Sequence, residues 1–574
     1  MMTSSKPLYL DIETDGLNPS VIWIAVTKQD GEVRKHYDAE SLAATLEGTF
    51  PVVGQNLYGF DLPVLERLWD IKVDHERVQD TLVMSRLSNP NREDGHSLRA
   101  WGERLGFSKG DHTDWTRLTP DMEKYCVRDV EVTEKLYQHL LKELDGFDVS
   151  SIELEHEVQR ITARQVRLGW LLDLKYAHQL LALLKEKKYE LEDKVQDTFR
   201  PLPTFIKEVT PRCKKDHTLS AVGLKFLGEQ WSDVCGPFSR VDYPEFNLGS
   251  RQQIGRYLQH FGWKPTKFTE KGHAIVDESV LSKITDIPEA QLIAEYLMVQ
   301  KRVAQIQSWI EAADDDGRVH GRVNTNGAVT GRMTHSEPNL AQVPAVRAPY
   351  GKECRSCWTV PEGYSLVGFD ASGLELRMLA HYMGDKEYTN EILHGDIHTA
   401  NQHLAGLESR DQAKTFIYAF LYGAGDAKLG TIVGGNARTG SALRARFLNG
   451  LPALRDLTER VAAKAGAGYL KGLDGRKLQV RSAHSALNTL LQGAGAIVMK
   501  KALVILDEYA QGYKLDYNFV GNIHDEVQAE VAKGQEDKYG RLAVSCIEAA
   551  GLHYNLRCPL TGEYNVGNNW SETH

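Results

Sequence analysis

The sequence predicts a multidomain α/β protein with three kinds of territory along the chain. Residues 1–147 alternate short apolar runs with helical patterns, which is typical of an α/β domain with a mixed sheet. Residues 150–315 are dominated by long charged helical patterns, which favour an elongated helical projection. From about residue 320 onward, strand and helix signals mix again. A chain of 574 residues is also too long for a single core.

The composition is that of an ordinary soluble globular protein, with 42% hydrophobic and 25% charged residues. The net charge of −10 argues only weakly against nucleic-acid binding, because a cleft needs only local positive charge. We find no run of ~18 apolar residues that could span a bilayer, and the start "MMTSSKPLYLDIETDG" lacks a signal-peptide pattern. The seven scattered cysteines fit reduced thiols. We therefore expect a monomer without a membrane partner in a cytoplasm.

A first group of carboxylates follows apolar runs in the N-terminal part. "LYLDIETDG" carries Asp11 and Glu13, and the period of two in a strand points both side chains to one face. Asp61 follows another apolar run, and "YCVRDVEVTEKL" places Tyr125 and Asp129 on one face of a helix. Each carboxylate alone could be a solvated element end. Together the four suit two divalent metal ions bound by oxygen ligands, with Tyr125 orienting a water molecule.

The order D-x-E, N-x(4)-D and Y-x(3)-D over ~120 residues resembles the exonuclease motifs of the DEDD superfamily, tyrosine subtype. The resemblance implies an RNase H-like fold that hydrolyses phosphodiesters from a 3′ end with two metal ions. The same carboxylates would hold the ions, and Tyr125 would help to position the attacking hydroxide. Asp80 in "QDTLVMSRL" and His96 in "GHSLRAWGERLG" also look like parts of this fold, and a purely structural role stays open for both.

A second group of carboxylates lies in the C-terminal part. "NFVGNIHDEVQAEV", residues 518–531, reads as two strands around a turn that holds His524, Asp525 and Glu526. The strand of "YSLVGFD" ends in Asp370, and the backbone carbonyl of Ala371 follows it. Asp is common in turns and at helix starts, so each residue alone has a structural explanation. Taken together, Asp370, Ala371 and Asp525 suit two shared metal ions.

Between these two segments, "SRDQAKTFIYAFLYGAG" places two cations and two aromatics on one helix face. Arg410, Lys414, Tyr418 and Tyr422 recur every four residues. Such a face suits a triphosphate at one end and a base or sugar at the other. An amphipathic helix with solvated cations and buried aromatics is the alternative.

The order "DASGLELR", "RDQAKTFIYAFLYG", "HDE" resembles motifs A, B and C of family A DNA polymerases, over roughly residues 320–574. The sequences "GLELR", "GDIHT" and "LDGRK" resemble the replicative polymerases of podovirus-type phages more closely still. The resemblance implies a right-hand polymerase domain (thumb, palm and fingers) after the exonuclease domain. The implied segments are an exonuclease domain at 1–147, a helical thumb at 148–320 with an irregular segment near 201–246, palm at 321–405 and 478–574, and fingers at 406–477.

The family also implies roles for individual residues. Two Mg²⁺ ions per active site, for which Mn²⁺ can substitute, would be held by the carboxylates of each group. Lys414 would protonate the leaving pyrophosphate, and Glu526 would order the turn or a water molecule. The implied dNTP-binding residues are Arg410, Lys414, Tyr418, His398, Glu375 and Tyr422. The implied DNA-binding residues are Arg332, Asn339, Gln342, Asn488, Gln492 and His524.

Primer–template DNA and dNTPs are the implied partners, with a replicative helicase–primase and a processivity factor as further ones. Related phage polymerases recruit thioredoxin through an insertion in the thumb. The corresponding stretch here, 201–246, is shorter and differently composed, so thioredoxin is not carried over. A nuclease with a degenerate polymerase half and a non-catalytic primer–template binding protein are the rival interpretations. The intact acidic residues of both groups disfavour both rivals.

Zinc is a further alternative at two places, and the spacing disfavours both. Cys354 and Cys357 form a C-x-x-C without a second pair. Cys213, His217 and Cys235 are one ligand short of a structural site.

Overall fold

The computed structural model describes residues 6–210, 213–222 and 237–573. It divides into two compact units, Met1–Asp173 with Ala312–His574, and Leu174–Glu311. Both contain helices and strands, so the predicted multidomain α/β class is confirmed.

The N-terminal part of the first unit is a mixed five-stranded sheet of order β3-β2-β1-β4-β5. Its strands are β1 (Leu8–Thr14), β2 (Ile22–Gln29), β3 (Glu32–His36), β4 (Val52–Gly54) and β5 (Val78–Asp80). β1 to β3 pair antiparallel, whereas β4 and β5 run parallel to β1. The accompanying helices are α1 (Ala39–Leu46), α2 (Asp61–Trp69), α3 (Thr81–Ser88), α4 (Leu98–Arg104) and α5 (Pro120–Glu143). Apolar residues of β1 and β2 pack with the buried stripe of α5, which positions that helix over the sheet.

Two elements follow before the second unit, α6 (Val149–Leu168) and β6 (Trp170–Leu172). The second unit is mainly helical. Its elements are α7 (Leu174–Thr198), β7 (Thr204–Val209), β8 (Phe238–Asp242), α8 (Arg251–His260), α9 (Glu278–Leu281) and α10 (Pro288–Ala312). The two long helical patterns of the sequence are confirmed as α7 and α10. Val195, Phe199 and Ile293 are fully buried in the core of this unit.

The segment predicted as irregular, 201–246, contains a two-stranded antiparallel ribbon of β7 and β8. The prediction is wrong there because the described side chains of β7 and its partner are half-buried or exposed on both faces, so no alternation marks the strands. Residues 211–212 and 223–236 lie outside the described part. Cys213 is disulfide-bonded, so the expectation of reduced thiols fails at this position. A disulfide sulfur offers no thiolate, which removes Cys213 as a zinc ligand.

The C-terminal part of the first unit carries the remaining elements. Its strands are β9 (Arg318–Val319), β10 (Arg322–Asn324), β11 (Thr334–Ser336), β12 (Trp358–Thr359), β13 (Tyr364–Ala371), β14 (Tyr469–Lys471), β15 (Lys477–Gln479), β16 (Tyr517–Ile523), β17 (Glu526–Ala532) and β18 (Gly562–Gly567). Its first helices are α11 (Gly351–Ser356), α12 (Leu374–Met383), α13 (Lys386–His394), α14 (Ile397–Ala405) and α15 (Arg410–Leu421). The later helices are α16 (Asp426–Thr431), α17 (Ala437–Gly450), α18 (Pro452–Ala465), α19 (Ala486–Gly512) and α20 (Glu536–His553).

The centre of this part is a four-stranded antiparallel sheet of order β16-β17-β13-β18. β13, β16 and β17 are mostly buried, whereas the residues of β18 are half-buried or exposed. α20 packs against β13 and β18. The described residues include one helix, Ala483–Gly512, that is long and apolar enough to cross a membrane by length and composition. The most apolar window of that helix is 78% buried, so α19 is a core helix of this unit.

The contact units differ from the predicted helical segment 148–320. α6 packs against α19 and β16 and therefore belongs to the first unit. Its Glu155 lies at the centre of a buried ion network with Asp474, Arg476 and Lys500. Buried charges of this kind tie α6 to the C-terminal part of the first unit.

Candidate active sites

The N-terminal carboxylates converge on one cleft of about 780 Å³. β1 contributes Asp11 and Glu13, and Asp61 is the first residue of α2. α5 contributes Tyr125 and Asp129. All five predicted residues line the cleft. The sulfur of Cys126 and ligand oxygens of Asp11 and Glu13 lie within 4.8 Å of one another.

Burial raises the pKa values of these carboxyl groups, because it removes the water that would stabilise their charged forms. It raises the pKa of Asp11 to about 8, with repulsion from Asp129 adding to the shift. It raises the pKa of Glu13 to about 10, with further repulsion from Asp11. Burial also raises the pKa values of Asp61 and Asp129. Oδ1 of Asp129 is buried without a hydrogen-bond partner. Such a set of oxygen donors fits divalent cations.

Lys109, which the sequence analysis did not single out, supplies a positive charge at this cleft. Its Nζ pairs with Oδ2 of Asp129 and lies 4.6 Å from the ring centre of Tyr125. The rings of His112 and Trp115 pack against the same tyrosine, with centroids 5.8 and 5.7 Å away. Segment 109–115 therefore holds Tyr125 in place, and only the tertiary fold brings it to α5.

Asp80 and His96 have structural roles. Asp80 is buried and accepts backbone N–H groups of Asn56 at 2.8 Å and Leu82 at 2.9 Å. These bonds shape the loop that leads to Asp61. The Nδ1 of His96 lies 2.7 Å from the hydroxyl oxygen of Ser85, and burial lowers the pKa of His96 to about 4.

The second group of carboxylates lies on the central C-terminal sheet. Asp370 is paired across the ladder with Glu526, so Asp525 is the next residue along from that pair. His524 has a φ of 60°, which turns the chain tightly between β16 and β17. The side chain of Asp370 is exposed, and that of Asp525 is 25% exposed. The sheet thus presents two accessible aspartates at one end, beside the carbonyl group of Ala371.

Glu526 differs from its neighbours because its carboxylate is engaged in a buried network. Trp570 Nε1 donates to Oε1 of Glu526 at 2.5 Å, and Gln528 Nε2 donates to the same oxygen at 2.7 Å. The Nη1 of Arg355 lies 3.7 Å from Oε2. These contacts anchor the turn and agree with an ordering role.

Arg332 connects the carboxylates of this region. Its Nη2 lies 3.3 Å from Oδ1 of Asp525 and 3.5 Å from Oε1 of Glu375. Tyr422 donates its hydroxyl hydrogen to the same oxygen of Glu375 at 2.9 Å. Gly331, with φ of 74°, sets the turn that delivers this arginine from the β10–β11 ribbon. Four predicted residues from separate elements therefore meet at one place.

The predicted cationic and aromatic face is present on α15. The other face of the helix is buried through Ala413, Phe416 and Phe420, whereas Arg410 and Lys414 are exposed. Tyr418 and Tyr422 stack with ring centroids 6.3 Å apart. Tyr418 is half-buried against the core, whereas Tyr422 is exposed, so the alternative of buried aromatics fits Tyr418 in part and does not fit Tyr422.

His398 joins this face from α14. Its ring lies 6.2 Å from that of Tyr418, and burial together with the charges of Arg410 and Lys414 lowers its pKa. Asp396, which the sequence analysis missed, caps α14 and accepts the Nε–H of Arg410 at 2.6 Å. This bond with Arg410 is the main reason that the pKa of Asp396 is held well below its usual range. Asp396 thus orients the arginine.

The remaining predicted DNA contacts fall at three places: α19, a short 3-10 turn and the tip of the β16–β17 hairpin. Asn488 and Gln492 are the half-buried positions of a buried stretch of α19, one turn apart on one face. Asn339 caps a short 3-10 turn, Leu340–Gln342, and its Oδ1 accepts the backbone N–H of Ala341 at 3.1 Å. His524 is exposed at the hairpin tip, where burial of its ring and the charge of Arg332 lower its pKa.

The fold and the carboxylate site on the C-terminal sheet define the class of a multidomain α/β polymerase. A family model for DNA polymerase family A matches residues 229–572. The DNA-directed DNA polymerase of Enterobacteria phage T3 is 34% identical over 99% of this chain and 100% of its own length. That of Escherichia phage T7 is 35% identical over 91% of this chain and 92% of its own length. The chain belongs to DNA polymerase family A.

A solved structure resembles the whole fold. It is the POL domain of Pol1 from M. smegmatis in complex with DNA primer-template and dNTP, with a TM-score of 0.78. The match covers 99% of this chain and 96% of that chain at 20% identity. At this identity the match supports the architecture alone.

Proposed function

We propose that this DNA polymerase extends a primer with dNTPs at Asp370 and Asp525, in the replication of phage DNA. The adjacency of the two aspartates at the open end of one sheet is the observation that carries the proposal. Both side chains are accessible. Asp370 lies on β13 and Asp525 lies in the turn between β16 and β17, and these three strands are mostly buried. Accessible carboxylates on a rigid sheet suit a site that must hold a reacting phosphate in one geometry.

Asp370, Asp525 and the carbonyl of Ala371 are hard oxygen donors and would hold divalent ions, Mg²⁺ or its substitute Mn²⁺. When bound, the ions activate the primer 3′-hydroxyl and neutralise the triphosphate and its leaving pyrophosphate. In the structure, which contains no DNA, Arg332 forms an ion pair with Asp525. On binding of DNA it turns toward a sugar or base edge of the terminal pair.

The exposed face of α15 binds the incoming dNTP. Arg410, Lys414 and His398 clamp its phosphates, and Asp396 holds the first of these in place. Lys414 is exposed and free to donate a proton to the leaving pyrophosphate. A solvent isotope effect that is lost in Lys414→Met would support that role, and one that is unchanged would contradict it.

The aromatic end of α15 reads the sugar. Glu375, held by Tyr422 and Arg332, crowds the ribose 2′ position and excludes ribonucleotides. Tyr418 is the residue that admits dideoxynucleotides. We expect Tyr418→Phe to raise the dideoxynucleotide concentration needed for chain termination, and unchanged termination would contradict this role.

DNA lies along the surface formed by Arg332, the 339–342 turn, the α19 stripe and the hairpin tip. Asn488 and Gln492 contact the primer–template from the α19 stripe. Asn339 contacts a sugar or base edge through its Nδ2 donors, because its Oδ1 already accepts the backbone N–H of Ala341. Gln342 and His524 complete the surface.

We propose a 3′–5′ exonuclease at the N-terminal cleft. Asp11, Glu13, Asp61 and Asp129 would hold two divalent ions, which supply Lewis acidity and a hydroxide nucleophile when bound. The unpartnered oxygen of Asp129 and the raised pKa values support this assignment. Tyr125 is fixed by Lys109 and Trp115 and positions the nucleophile.

The polymerase proposal is tested by primer extension. Asp370→Ala and Asp525→Ala should each abolish extension. Glu526→Gln should keep measurable extension, because the Glu526 side chain is bound inside the protein. Full extension by Asp370→Ala would contradict the assignment.

The exonuclease proposal is tested with a single strand carrying a 5′ label. Wild type should release mononucleotides from the 3′ end, and Asp11→Ala/Glu13→Ala should not. Internal cuts, or unchanged hydrolysis by this variant, would contradict it.

Domains and partners follow from the same assignment. We propose an exonuclease domain at 1–147, thumb at 148–320, palm at 321–405 and 478–574, and fingers at 406–477. Primer–template DNA and dNTPs are the ligands, in the cytoplasm of the host cell. A replicative helicase–primase and a processivity factor are the proposed protein partners of a monomeric enzyme, and the proposal does not depend on thioredoxin.

A further inference from the structure

One cation in the N-terminal cleft has no partner. Arg86 of α3 lines the same cleft as the carboxylates. Within residues 6–210, 213–222 and 237–573 its side chain makes no ion pair, and its Nε is buried without a hydrogen-bond partner. A buried charged donor without a partner is costly, so such a group calls for a ligand.

The neighbours of Arg86 are already committed elsewhere. Asp80 attracts its charge, yet the oxygens of Asp80 accept backbone N–H groups of Asn56, Tyr58 and Leu82. His96 bonds through Nδ1 to the hydroxyl of Ser85. Neither neighbour is arranged to neutralise the guanidinium.

Other arginines of the same α/β part are paired. Arg92 lies 2.5 Å from a carboxylate oxygen of Glu143. Arg77 donates to the backbone carbonyls of Phe50 at 3.1 Å and Leu46 at 2.9 Å. The Nε of Arg92 is also buried without a hydrogen-bond partner, but the terminal nitrogens of Arg92 reach the carboxylate of Glu143. Among the described residues the guanidinium of Arg86 has no such carboxylate partner.

The acidic and the basic residues that line the cleft come from different helices and strands. The carboxylates come from β1, α2 and α5, whereas α3 and β10 contribute Arg86, Asn324 and Arg322. α3 is attached to the β10–β11 ribbon at this point, because Asn326 Nδ2 donates to the backbone carbonyl of Arg86 at 2.8 Å. The same ribbon delivers Arg332 to Asp525. A strand that leaves the polymerase site along the ribbon therefore meets the cationic wall of the cleft.

We propose that Arg86 binds a phosphodiester of the single-stranded 3′ end, one that is not the scissile group. This inference rests on the proposed exonuclease. The scissile phosphate belongs with the carboxylates and their metal ions, and a neighbouring phosphate needs a fixed cation on the opposite wall. The planar guanidinium presents parallel N–H donors that match two phosphate oxygens. Arg86 is thus a binding residue that sets the register of the strand.

The test measures binding of single strands to the full-length protein in Ca²⁺, without hydrolysis. Methylphosphonate linkages neutralise each of the 3′-proximal phosphates in turn. In wild type, one particular substitution should weaken binding about tenfold. Arg86→Gln should weaken binding of the unmodified strand about tenfold and lose its sensitivity at that phosphate alone. The salt dependence of log K should fall by about 0.7.

Arg34→Gln is the matched control. Arg34 lies on β3, pairs with Glu32 at 3.0 Å and does not line the cleft. This variant removes the same charge from the same part of the chain and should keep the full phosphate pattern. Arg86→Lys should keep partial sensitivity at the one phosphate, which separates loss of charge from loss of the side chain's volume.

Three results would overturn the inference. Arg86→Gln could keep the complete phosphate pattern. It could lose sensitivity equally at every phosphate, which would indicate a general loss of the cleft. It could weaken only the inhibition of strand binding by a free deoxynucleoside 5′-monophosphate, which would mean that Arg86 binds the released product. Hydrolysis by the wild type is measured separately in Mg²⁺, so failure of the exonuclease proposal remains distinguishable from failure at Arg86.

Discussion

Two clusters of buried charge lie within the first unit, and they are built in opposite ways. Glu155, Asp474, Arg476 and Lys500 form a balanced cluster, in which two carboxylates face two cations. Arg476 contacts Glu155 at 2.5 Å and Asp474 at 2.6 Å, and Lys500 contacts Glu155 at 2.5 Å. In the cleft of Asp11, three buried carboxylates and the half-buried Asp11 lie together, and among the described residues Asp129 alone of the four forms an ion pair, with Lys109.

The difference in charge balance indicates that the Glu155 cluster stabilises the fold, whereas the Asp11 cleft is suited to binding a ligand. A balanced cluster satisfies its charges when the chain folds, and so it stabilises one arrangement of α6, α19 and segment 474–476. The cleft holds four carboxyl groups with few cations, and burial raises the pKa values of Asp11 and Glu13 so far that both hold protons at neutral pH until a cation displaces them. An imbalance of this kind persists where a ligand supplies the missing partner. The polymerase site lies between these extremes, with Arg332 shared between Asp525 and Glu375.

The largest expected effect comes from removing the unbalanced charge. Asp11→Ala/Glu13→Ala should lower 3′ hydrolysis by about a thousandfold or more, equivalent to at least about 4 kcal/mol. The same variant should unfold at higher urea concentration than wild type in EDTA, because it removes two carboxyl groups that are desolvated by burial. Asp15→Asn is the control, since Asp15 bonds only to Ser20 and Val21 outside the cleft. Loss of both activity and stability would contradict the comparison.

Breaking the balanced cluster should have the opposite signature. Glu155→Gln leaves two buried cations with one carboxylate and should cost about 3–5 kcal/mol in the free energy of unfolding. Glu155→Gln/Lys500→Met removes one charge of each sign and should cost less. Urea unfolding of both variants checks this order. A double variant that is less stable than the single one would show that the cluster is not held by charge balance.

Lys109 marks the place of the missing positive charge. Lys109→Met leaves Asp129 without its direct partner, so in EDTA it should cost about 1–2 kcal/mol in the free energy of unfolding. Added Mg²⁺ should restore more stability to this variant than it adds to wild type. Thermal melts with and without Mg²⁺ measure both. Equal gains in the two proteins would indicate that metal ions bind elsewhere.

The smallest expected effect is a dependence of stability on pH. Asp11 has a folded-state pKa of about 8 and an unfolded-state value near 3.8, so the folded state holds more protons between these values. The free energy of unfolding should therefore fall as pH rises through this window in EDTA, by about 1 kcal/mol or more. Asp11→Asn/Glu13→Gln should lose this slope. A slope that persists in the variant would assign it to other groups.

The sequence predicted the parts of the fold that carry a local signal. Alternating apolar runs indicated the mixed sheet, and spacings of four indicated the α15 face and the pair on α5. Both long helices of the second unit were predicted, because their buried positions recur at helical spacing. The β7–β8 ribbon was missed, since its described side chains do not alternate between buried and exposed.

What the sequence could not predict depends on distant elements that meet. Lys109 stands in a segment rich in polar residues, and nothing in that segment signals that it reaches Asp129. Asp396 reads as a turn residue, although it holds Arg410. The unpaired state of Arg86 depends on Asp80 being occupied by backbone donors, which is a tertiary fact. These residues were identified from the charged groups that surround them in the folded structure, which the order of residues along the chain does not show.

The most direct test follows extension and degradation of one mismatched primer in the same reaction with Mg²⁺. Two separate carboxylate sites predict that Asp11→Ala/Glu13→Ala extends the primer without degrading it. They also predict that Asp370→Ala degrades the primer without extending it. If either variant lost both activities while remaining folded, or if Asp370→Ala still extended the primer, the account of two independent sites would be contradicted.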